Sequence, residues 1–155
     1  MSNFPSDQSP MACFEAVYSD PFNFRFVEKQ TPFLSTLAVM KNPNTIQYVE
    51  DKRTDLFKVL ATIAVSHDGS LISHVPTESQ TTELCMIAIR NNPLALKSIH
   101  NKTSELVLEA VKRNANAIET DGAFSFITPE IEEVIRRDPQ RNFRWAYSEY
   151  FSKKQ

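Results

Sequence analysis

Histidine and cysteine carry the most reactive side chains in this sequence, and their spacing argues against catalysis. His67, His74 and His100 have no partner at a metal-ligand spacing such as HExxH or CxxC. His67 and His74 flank a predicted turn, which favours a surface or capping role over general-base chemistry. The chain also has no glycine-rich phosphate loop, GxSxG elbow or Cys-His signature. We therefore expect a protein that is not an enzyme and that uses no metal and no cofactor.

The C-terminal stretch combines opposite charges with aromatic rings. Residues 132–137 place two glutamates four residues before two arginines, which most often indicates a solvated helix face. Rings interleaved with arginine are typical of binding hot spots, although the end of a helical stack also needs large apolar residues. An apolar cap and a partner contact both remain open. The second interpretation assigns partner binding to Arg137, Arg141, Arg144, Trp145, Tyr147 and Tyr150.

Phenylalanines concentrate at the other end of the chain. Bulky rings there would close the exposed core of a terminal unit that lacks a neighbour, or they would form a docking patch for a partner. The residues concerned are Phe14, Phe22, Phe24, Phe26 and Phe33.

The stretch Thr81–Ile99 shows which elements must position these side chains. Thr81 or Thr82 can cap a helix whose apolar residues then recur at three- and four-residue intervals. Asn92 followed by Pro93 ends that helix and caps a second, shorter one, because proline suits the first position of a helix. The stretch therefore predicts two helices joined by a tight corner.

The same offsets recur through the chain, counted from units that start at Ser9, Thr31, Phe57, Thr81, Thr103 and Thr128. In the third unit the predicted cap is Thr54, and the sixth unit is degenerate. Small residues at plus seven would let helices cross closely, and they are Ala16, Ala38, Ala64, Ala88 and Ala110. Asn or Asp at plus eleven would cap the second helix, at Asp20, Asn42, Asp68, Asn92 and Asn114.

This pattern predicts an all-α fold, an α-solenoid of about six short helix-turn-helix repeats with a period of 22–26 residues, from the spacing of the alanines. Only two glycines occur among 155 residues, which argues against hairpin-rich β structure. The predicted organisation is a flexible N-terminus over residues 1–8, five helical-pair repeats over 9–121, and a degenerate sixth repeat with an aromatic, basic C-terminal helix over 122–155.

The fourth and fifth units resemble a family of short helical repeats of unknown function, with a consensus close to T-x-E-L-x-L-x-A-V-x-x-N-x-x-A-L-x-x-V. The matching stretches are TTELCMIAIRNNPLAL and TSELVLEAVKRNANAI. The resemblance implies an all-helical repeat array of the kind found in bacterial, phage and giant-virus proteins. It supplies no catalytic residues.

One further pattern suggests where a partner would bind. The plus-seventeen position reads Phe26, Tyr48 and His74 in the first three units, so these rings would line up along a regular stack. Boundary packing against the next unit is the alternative. Cys13 and Cys85 lie three repeats apart, too far for a disulfide, and we expect both to be buried.

The function predicted from these patterns is protein–protein interaction, with a phage or pathogen factor that blocks a host enzyme or defence complex as the setting. Nucleic-acid binding through the basic, aromatic C-terminal segment is the first alternative, and a self-assembling structural module, hence a homo-oligomer, is the second. A net charge of −2 gives no bulk attraction to nucleic acid or acidic membranes. With no apolar run long enough for a bilayer, we expect no membrane partner and a cytoplasmic location, the host cytoplasm for a viral protein.

Overall fold

A computed structural model describes residue 4, residues 6–120 and residues 122–137 of the chain, and the predicted contacts at Arg141, Arg144, Trp145, Tyr147 and Tyr150 lie outside them. Every regular element in the described residues is helical. The α-helices are α1 Pro10–Ser19, α2 Pro32–Lys41, α3 Asp55–His67, α4 Thr82–Asn91, α5 Ser104–Arg113 and α6 Pro129–Arg137. The 3₁₀ helices are η1 Pro21–Phe26, η2 Pro43–Tyr48, η3 Gly69–His74, η4 Thr77–Ser79, η5 Pro93–Ser98, η6 Ala115–Glu119 and η7 Ala123–Phe126.

The α-helices begin where the sequence predicts. A serine or threonine oxygen precedes each one and accepts the N–H three residues later, which satisfies a donor that the helix itself leaves unpaired. Thr54 is the cap of α3, as expected, and Thr81 rather than Thr82 is the cap of α4. Five of the six predicted unit starts are therefore helix caps, and the third, Phe57, lies three residues after its cap.

The corner after each of α1 to α5 has one geometry. The Asn or Asp at plus eleven donates its N–H to the carbonyl of the plus-seven alanine at 2.7 to 3.0 Å. Its side-chain oxygen accepts the N–H of the residue two positions later at 2.9 to 3.1 Å. The backbone φ stays between −139° and −153° at all five corners. The predicted capping role of these residues is confirmed.

The helix that follows the corner after each of α1 to α5 is a 3₁₀ helix. In the first four units six residues separate the corner from the buried apolar residue at plus eighteen, and the chain closes its turns with bonds between residues three apart. A segment this short gains little from α-helical cooperativity, whereas the tighter 3₁₀ form is common in short pieces.

The elements form two neighbouring rows. Each α-helix packs against the next α-helix, and each of the six-residue 3₁₀ helices packs against the next one, so the main contacts join elements of the same or the adjacent unit. The core lies between the rows, and the alanines Ala38, Ala64, Ala88 and Ala110 are fully buried in it. Ala16 is half-buried, because α1 is the first α-helix of the described residues and has only one neighbouring α-helix, α2.

A glutamine that precedes the cap closes three of the units, and the sequence patterns did not predict its role. Its side-chain Nε2 donates to the carbonyl of the plus-seventeen residue, and its Oε1 accepts the N–H two residues further on. The donor distances are 3.4 Å for Gln8 to Phe26, 2.8 Å for Gln30 to Tyr48 and 3.2 Å for Gln80 to Ser98. The N–H groups accepted are those of Glu28, Glu50 and His100. We call these residues the glutamine clamps.

The third unit differs because α3 has 13 residues where α1, α2, α4 and α5 have 10. Lys52 replaces the clamp there, and its Nζ donates to the His74 carbonyl at 3.2 Å. Gly69, at the corner of this unit, approaches α4 so closely that an added Cβ would lie 2.2 Å from the Ala88 carbonyl oxygen. Its N–H donates to the side chain of Asn91 at 2.9 Å.

Substituting Gly69 with alanine is expected to lower the free energy of unfolding by about 3 kcal/mol, because the backbone of α4 must shift to admit the methyl group. Urea unfolding of Gly69→Ala measures this loss. Pro93→Ala is the matched control, because Pro93 occupies the same offset and already carries a Cβ, and we expect a loss under about 1 kcal/mol. Equal losses in the two variants would contradict the close approach.

Gln80 is buried and also donates to the carbonyls of Ile72 and Val75 at 3.4 and 3.1 Å. Truncation to alanine removes the donor to the Val75 carbonyl and the acceptor of the His100 N–H, so Gln80→Ala should lose about 2 to 3 kcal/mol in the same unfolding assay. Gln47 is an exposed glutamine that donates only locally to Asn44 at 3.0 Å. Gln47→Ala should therefore stay within about 0.5 kcal/mol of the unsubstituted protein.

Candidate functional site

Each α-helix has an outward side that lies opposite its buried side. Buried residues occupy offsets plus three, four, seven and eight, whereas offsets plus two, five, six and nine are exposed or half-buried. With 3.6 residues per turn these two sets fall on opposite sides of one helix. Residues at similar offsets meet across neighbouring helices, as Lys41 meets Tyr18, so the helices run in one direction and their outward sides form a continuous surface.

The outward side is mostly apolar in α1 to α3 and mostly charged in α4 to α6. In α4, α5 and α6 eight of the twelve outward positions are charged, at Glu83, Arg90, Glu105, Glu109, Lys112, Glu130, Glu133 and Arg137. In α1, α2 and α3 only one of the twelve is charged, at Glu15. Eight of the others are large and apolar, at Met11, Phe14, Tyr18, Phe33, Leu37, Met40, Val59 and Ile63. We call this second surface the α1–α3 face.

The α1–α3 face exposes large apolar side chains to an unusual degree. Six of its residues are between 39% and 69% exposed, with Met40 the most exposed of them. Even its threonines present methyl groups, because the hydroxyls turn inward. Thr36 donates to the Pro32 carbonyl at 2.8 Å, and Thr62 donates to the Lys58 carbonyl at 2.9 Å. Each hydroxyl is therefore already paired within its own helix.

Aromatic contacts make the face continuous between α1 and α2. The Phe14 ring stacks on Phe33 with a centroid distance of 5.9 Å, and it also meets Tyr18 at 5.6 Å. The Lys41 Nζ lies 3.8 Å above the Tyr18 ring and donates to the Tyr18 carbonyl at 2.6 Å. These contacts hold the rings in place on an open surface, where they are available to a partner.

A cleft of about 990 Å³ opens between the N-terminal halves of α1 and α2. Its walls include Met11, Phe14 and Phe33 from the α1–α3 face, together with Gln8, Cys13 and Leu34. The volume is at the upper end of the range for ligand pockets. Burial raises the pKa of the Cys13 thiol, and the nearby carboxylates of Asp7 and Glu28 raise it further. This thiol is therefore a poor nucleophile at neutral pH.

Six of the eight charged residues on the outward side of α4 to α6 form ion pairs within the chain. Glu109 accepts from Arg113 at 2.9 Å and lies 3.5 Å from Arg90 of the preceding helix. The bond from Arg113, followed by the nearby positive charges, lowers the pKa of Glu109. Lys112 and Glu130 join α5 to α6 at 3.1 Å. Exposed pairs of this kind are worth little in stability, but they keep this surface hydrated.

The structure describes four of the site residues that the sequence predicts, Phe26, Tyr48, His74 and Arg137. Phe26, Tyr48 and His74 are half-buried at the ends of successive 3₁₀ helices, and a carbonyl of each is held by a clamp or by Lys52. Phe26 packs on Phe4, which precedes the first unit, with ring centroids 5.7 Å apart. Arg137 ends α6 and donates to Glu133 at 2.6 Å.

The remaining reactive residues occupy ordinary positions. His67 and His100 are exposed, and Cys13 and Cys85 are buried free thiols, the burial that the sequence predicts. Burial also raises the pKa of Cys85. In the described part of the chain no group of three His, Cys, Asp or Glu residues is arranged to hold a metal ion. No helix there has both the length and the apolar character that spanning a bilayer requires.

The sequence patterns did not predict the α1–α3 face, because only its phenylalanines were identified as a possible docking patch. Phe24 turned out to belong to the core, whereas Phe14 and Phe33 belong to the face. The signal was present in the sequence: α1 and α2 are apolar at both their inward and their outward offsets. A helix that is apolar all round requires a second covering surface.

A family model described as a domain of unknown function, DUF4116, matches residues 82–132. The match spans α4 and α5 and reaches the start of α6, in agreement with the family of unknown function that the fourth and fifth units resemble. The α1–α3 face lies outside the matched segment. No curated protein and no solved structure shows a significant match to the chain.

His74 should make folding stability sensitive to mild acid. Burial, followed by the positive charge of Lys52, lowers its pKa below the ordinary value of about 6.5. The unfolded chain therefore takes up the proton more readily, so stability is complete above about pH 6.5 and declines as the pH falls through the lower, folded-state pKa.

His74→Asn should remove part of this decline. Urea unfolding near pH 7.5 and near pH 5.5 measures it, and the variant should lose less stability over about this interval than the unsubstituted protein. An identical pH dependence in the two proteins would contradict the role of His74.

Proposed function

We propose that this chain is a non-enzymatic interaction module, an α-solenoid of about six helix pairs, that binds another protein chain through the α1–α3 face. The contacts between successive α-helices and between successive 3₁₀ helices support the solenoid arrangement, because stacked repeats contact mainly their neighbours. Binding would occur by occupation of a surface, with affinity concentrated in a few rings and methionines.

The contrast between the two outward surfaces carries this proposal. Eight of the twelve equivalent positions are charged in α4 to α6 and eight of twelve are large and apolar in α1 to α3, although both sets of helices have a buried side that supplies the core. The fold therefore does not require apolar residues on the outward side. Contiguous exposed apolar surface of this kind marks interaction sites in soluble proteins.

The size of the face supports a protein partner. Six side chains of the face are 39% to 69% exposed. If the total surface of each is about 200 Å², their exposed parts add up to about 600 to 700 Å². This is at or above the upper end of the range for the largest apolar patch of a typical monomer, about 300 to 600 Å². It approaches the roughly 800 Å² that each partner contributes to a standard protein interface.

The charges of α6 give less support to the nucleic-acid alternative. Arg136 and Arg137 follow three glutamates in the same helix, and the Arg137 side chain is bonded to Glu133. A binding site for phosphates needs basic groups in excess along one surface. Among the described residues, α6 has no such excess.

Photo-crosslinking tests the proposed face directly. We expect p-benzoylphenylalanine in place of Phe33 to form an adduct with a protein chain, because Phe33 lies on the face and is 63% exposed. The same probe in place of Asn116, an exposed residue of η6, is the matched control and should form no comparable adduct.

Adding Met40→Glu to the Phe33 probe should abolish the adduct without unfolding the chain, because the Met40 side chain is largely exposed. Absence of a protein adduct from both positions would overturn the proposed function. Adducts that form equally from Phe33 and Asn116 would also overturn it, because the face would then have no special role.

A further inference from the structure

We infer that the protein chain bound by the α1–α3 face is a second copy of this protein, related by a two-fold axis that runs parallel to α2. This inference rests on the proposed function and specifies its partner. A half-turn about such an axis keeps the direction of the helices and reverses their order. Helix α1 of one copy then faces α3 of the other, α2 faces α2, and residues at equal offsets lie opposite one another.

The shapes of α1 and α3 are complementary. The outward side of α1 is bulky, with Met11, Phe14 and Tyr18 at offsets plus two, five and nine. The same offsets of α3 carry the smaller residues Val59, Thr62 and Ser66. When α1 faces α3, Phe14 meets Thr62 and Tyr18 meets Ser66, so each of these two rings lies opposite a small side chain.

Other arrangements lack this match. A half-turn about an axis perpendicular to the helices would place α1 against α1 and α3 against α3. Bulky residues would then meet bulky residues at one side of the interface, and small residues would leave voids at the other. Voids of this kind forfeit dispersion contacts, so the axis parallel to α2 gives the better packed interface.

The charges that border the face are also complementary. Glu15 is the one charged residue at the outward offsets of α1 to α3, and it belongs to α1. Lys58 lies at the edge of the face on α3, where it is exposed and bonded to Asp55 at 2.7 Å. Lys58 lies five offsets before the position opposite Glu15, about 7.5 Å along the helix axis, so Glu15 of each copy meets Lys58 of the other only through their extended side chains. Opposite charges at the rim favour this pairing over like-charge alternatives.

The area is sufficient for a dimer. Two faces of about 600 to 700 Å² give about 1,200 to 1,400 Å² in total, within the range of specific interfaces. The half-buried Phe14 and Leu37 and the two threonine methyls add to this area. Helix α2 lies at the centre, so Phe33 and Met40 of one copy meet the same residues of the other.

Sedimentation equilibrium of the full chain tests the inference. The unsubstituted protein should show a reversible monomer–dimer equilibrium, and Met40→Glu should weaken dimerisation by at least about a hundredfold, because each substitution acts twice at the centre of the interface. Leu94→Glu is the matched control, since Leu94 is also an exposed apolar residue but lies in η5, away from the face. It should leave the equilibrium unchanged.

Engineered disulfides test the two-fold arrangement itself. When Met11→Cys and Val59→Cys variants are mixed and oxidised, we expect a disulfide-linked dimer that contains one of each. Met11→Cys alone should remain uncrosslinked. The native thiols of Cys13 and Cys85 should interfere little, because burial raises the pKa of both. Self-crosslinking of Met11→Cys without the mixed product would overturn this arrangement.

Failure of this inference is distinguishable from failure of the proposed function. A chain that stays monomeric at every concentration, while the Phe33 probe still captures a different protein, would overturn the dimer and leave the interaction module standing. A monomeric chain whose probe captures no protein would overturn both. A dimer that survives Met40→Glu but dissociates in Leu94→Glu would overturn the assigned face.

Discussion

The structure depends on a hydrogen-bonded corner that recurs five times. An Asn or Asp side chain accepts the N–H two residues later, while its own N–H closes the preceding α-helix onto an alanine carbonyl. One residue thereby ends one helix and starts the next. Because the backbone angles of the five corners are nearly equal, each 3₁₀ helix leaves its α-helix in the same direction, and both rows of helices can stack.

The outward sides of the α-helices are free of the residues that hold the fold together. The corners, the glutamine clamps and the inward residues hold the units together, and none of these positions lies on the outward side. Selection can therefore change the outward residues without disturbing the fold. In α4 to α6 most of them are charged, as expected for contact with water, whereas in α1 to α3 most are apolar. The proposed interaction uses the surface whose residues contribute least to holding the fold together.

The sequence predicts the helix starts, the corners and the inward alanines, because each of these depends on local chemistry that recurs at fixed offsets. It did not yield the 3₁₀ form of the second helices, since apolar residues three and four apart suit either helix type. The clamps were also missed. A glutamine such as Gln80 is chemically unremarkable until the fold brings the Ser98 carbonyl within reach of its side chain, eighteen residues away. Similarly, Phe14 and Phe24 look alike in sequence, and only packing separates the surface ring from the core ring.

The short sequence separation between each clamp and the carbonyl it binds affects how the chain folds. Gln8 and Gln30 each bind a carbonyl only eighteen positions later, and the main packing contacts join adjacent units. A topology of such low contact order loses little entropy on loop closure, and proteins of this kind fold rapidly. We expect the first two units to become ordered while later ones are still being synthesised. The α1–α2 part of the apolar surface would then form before the ribosome releases the chain. Two copies would first be able to meet as nascent chains on the same messenger RNA.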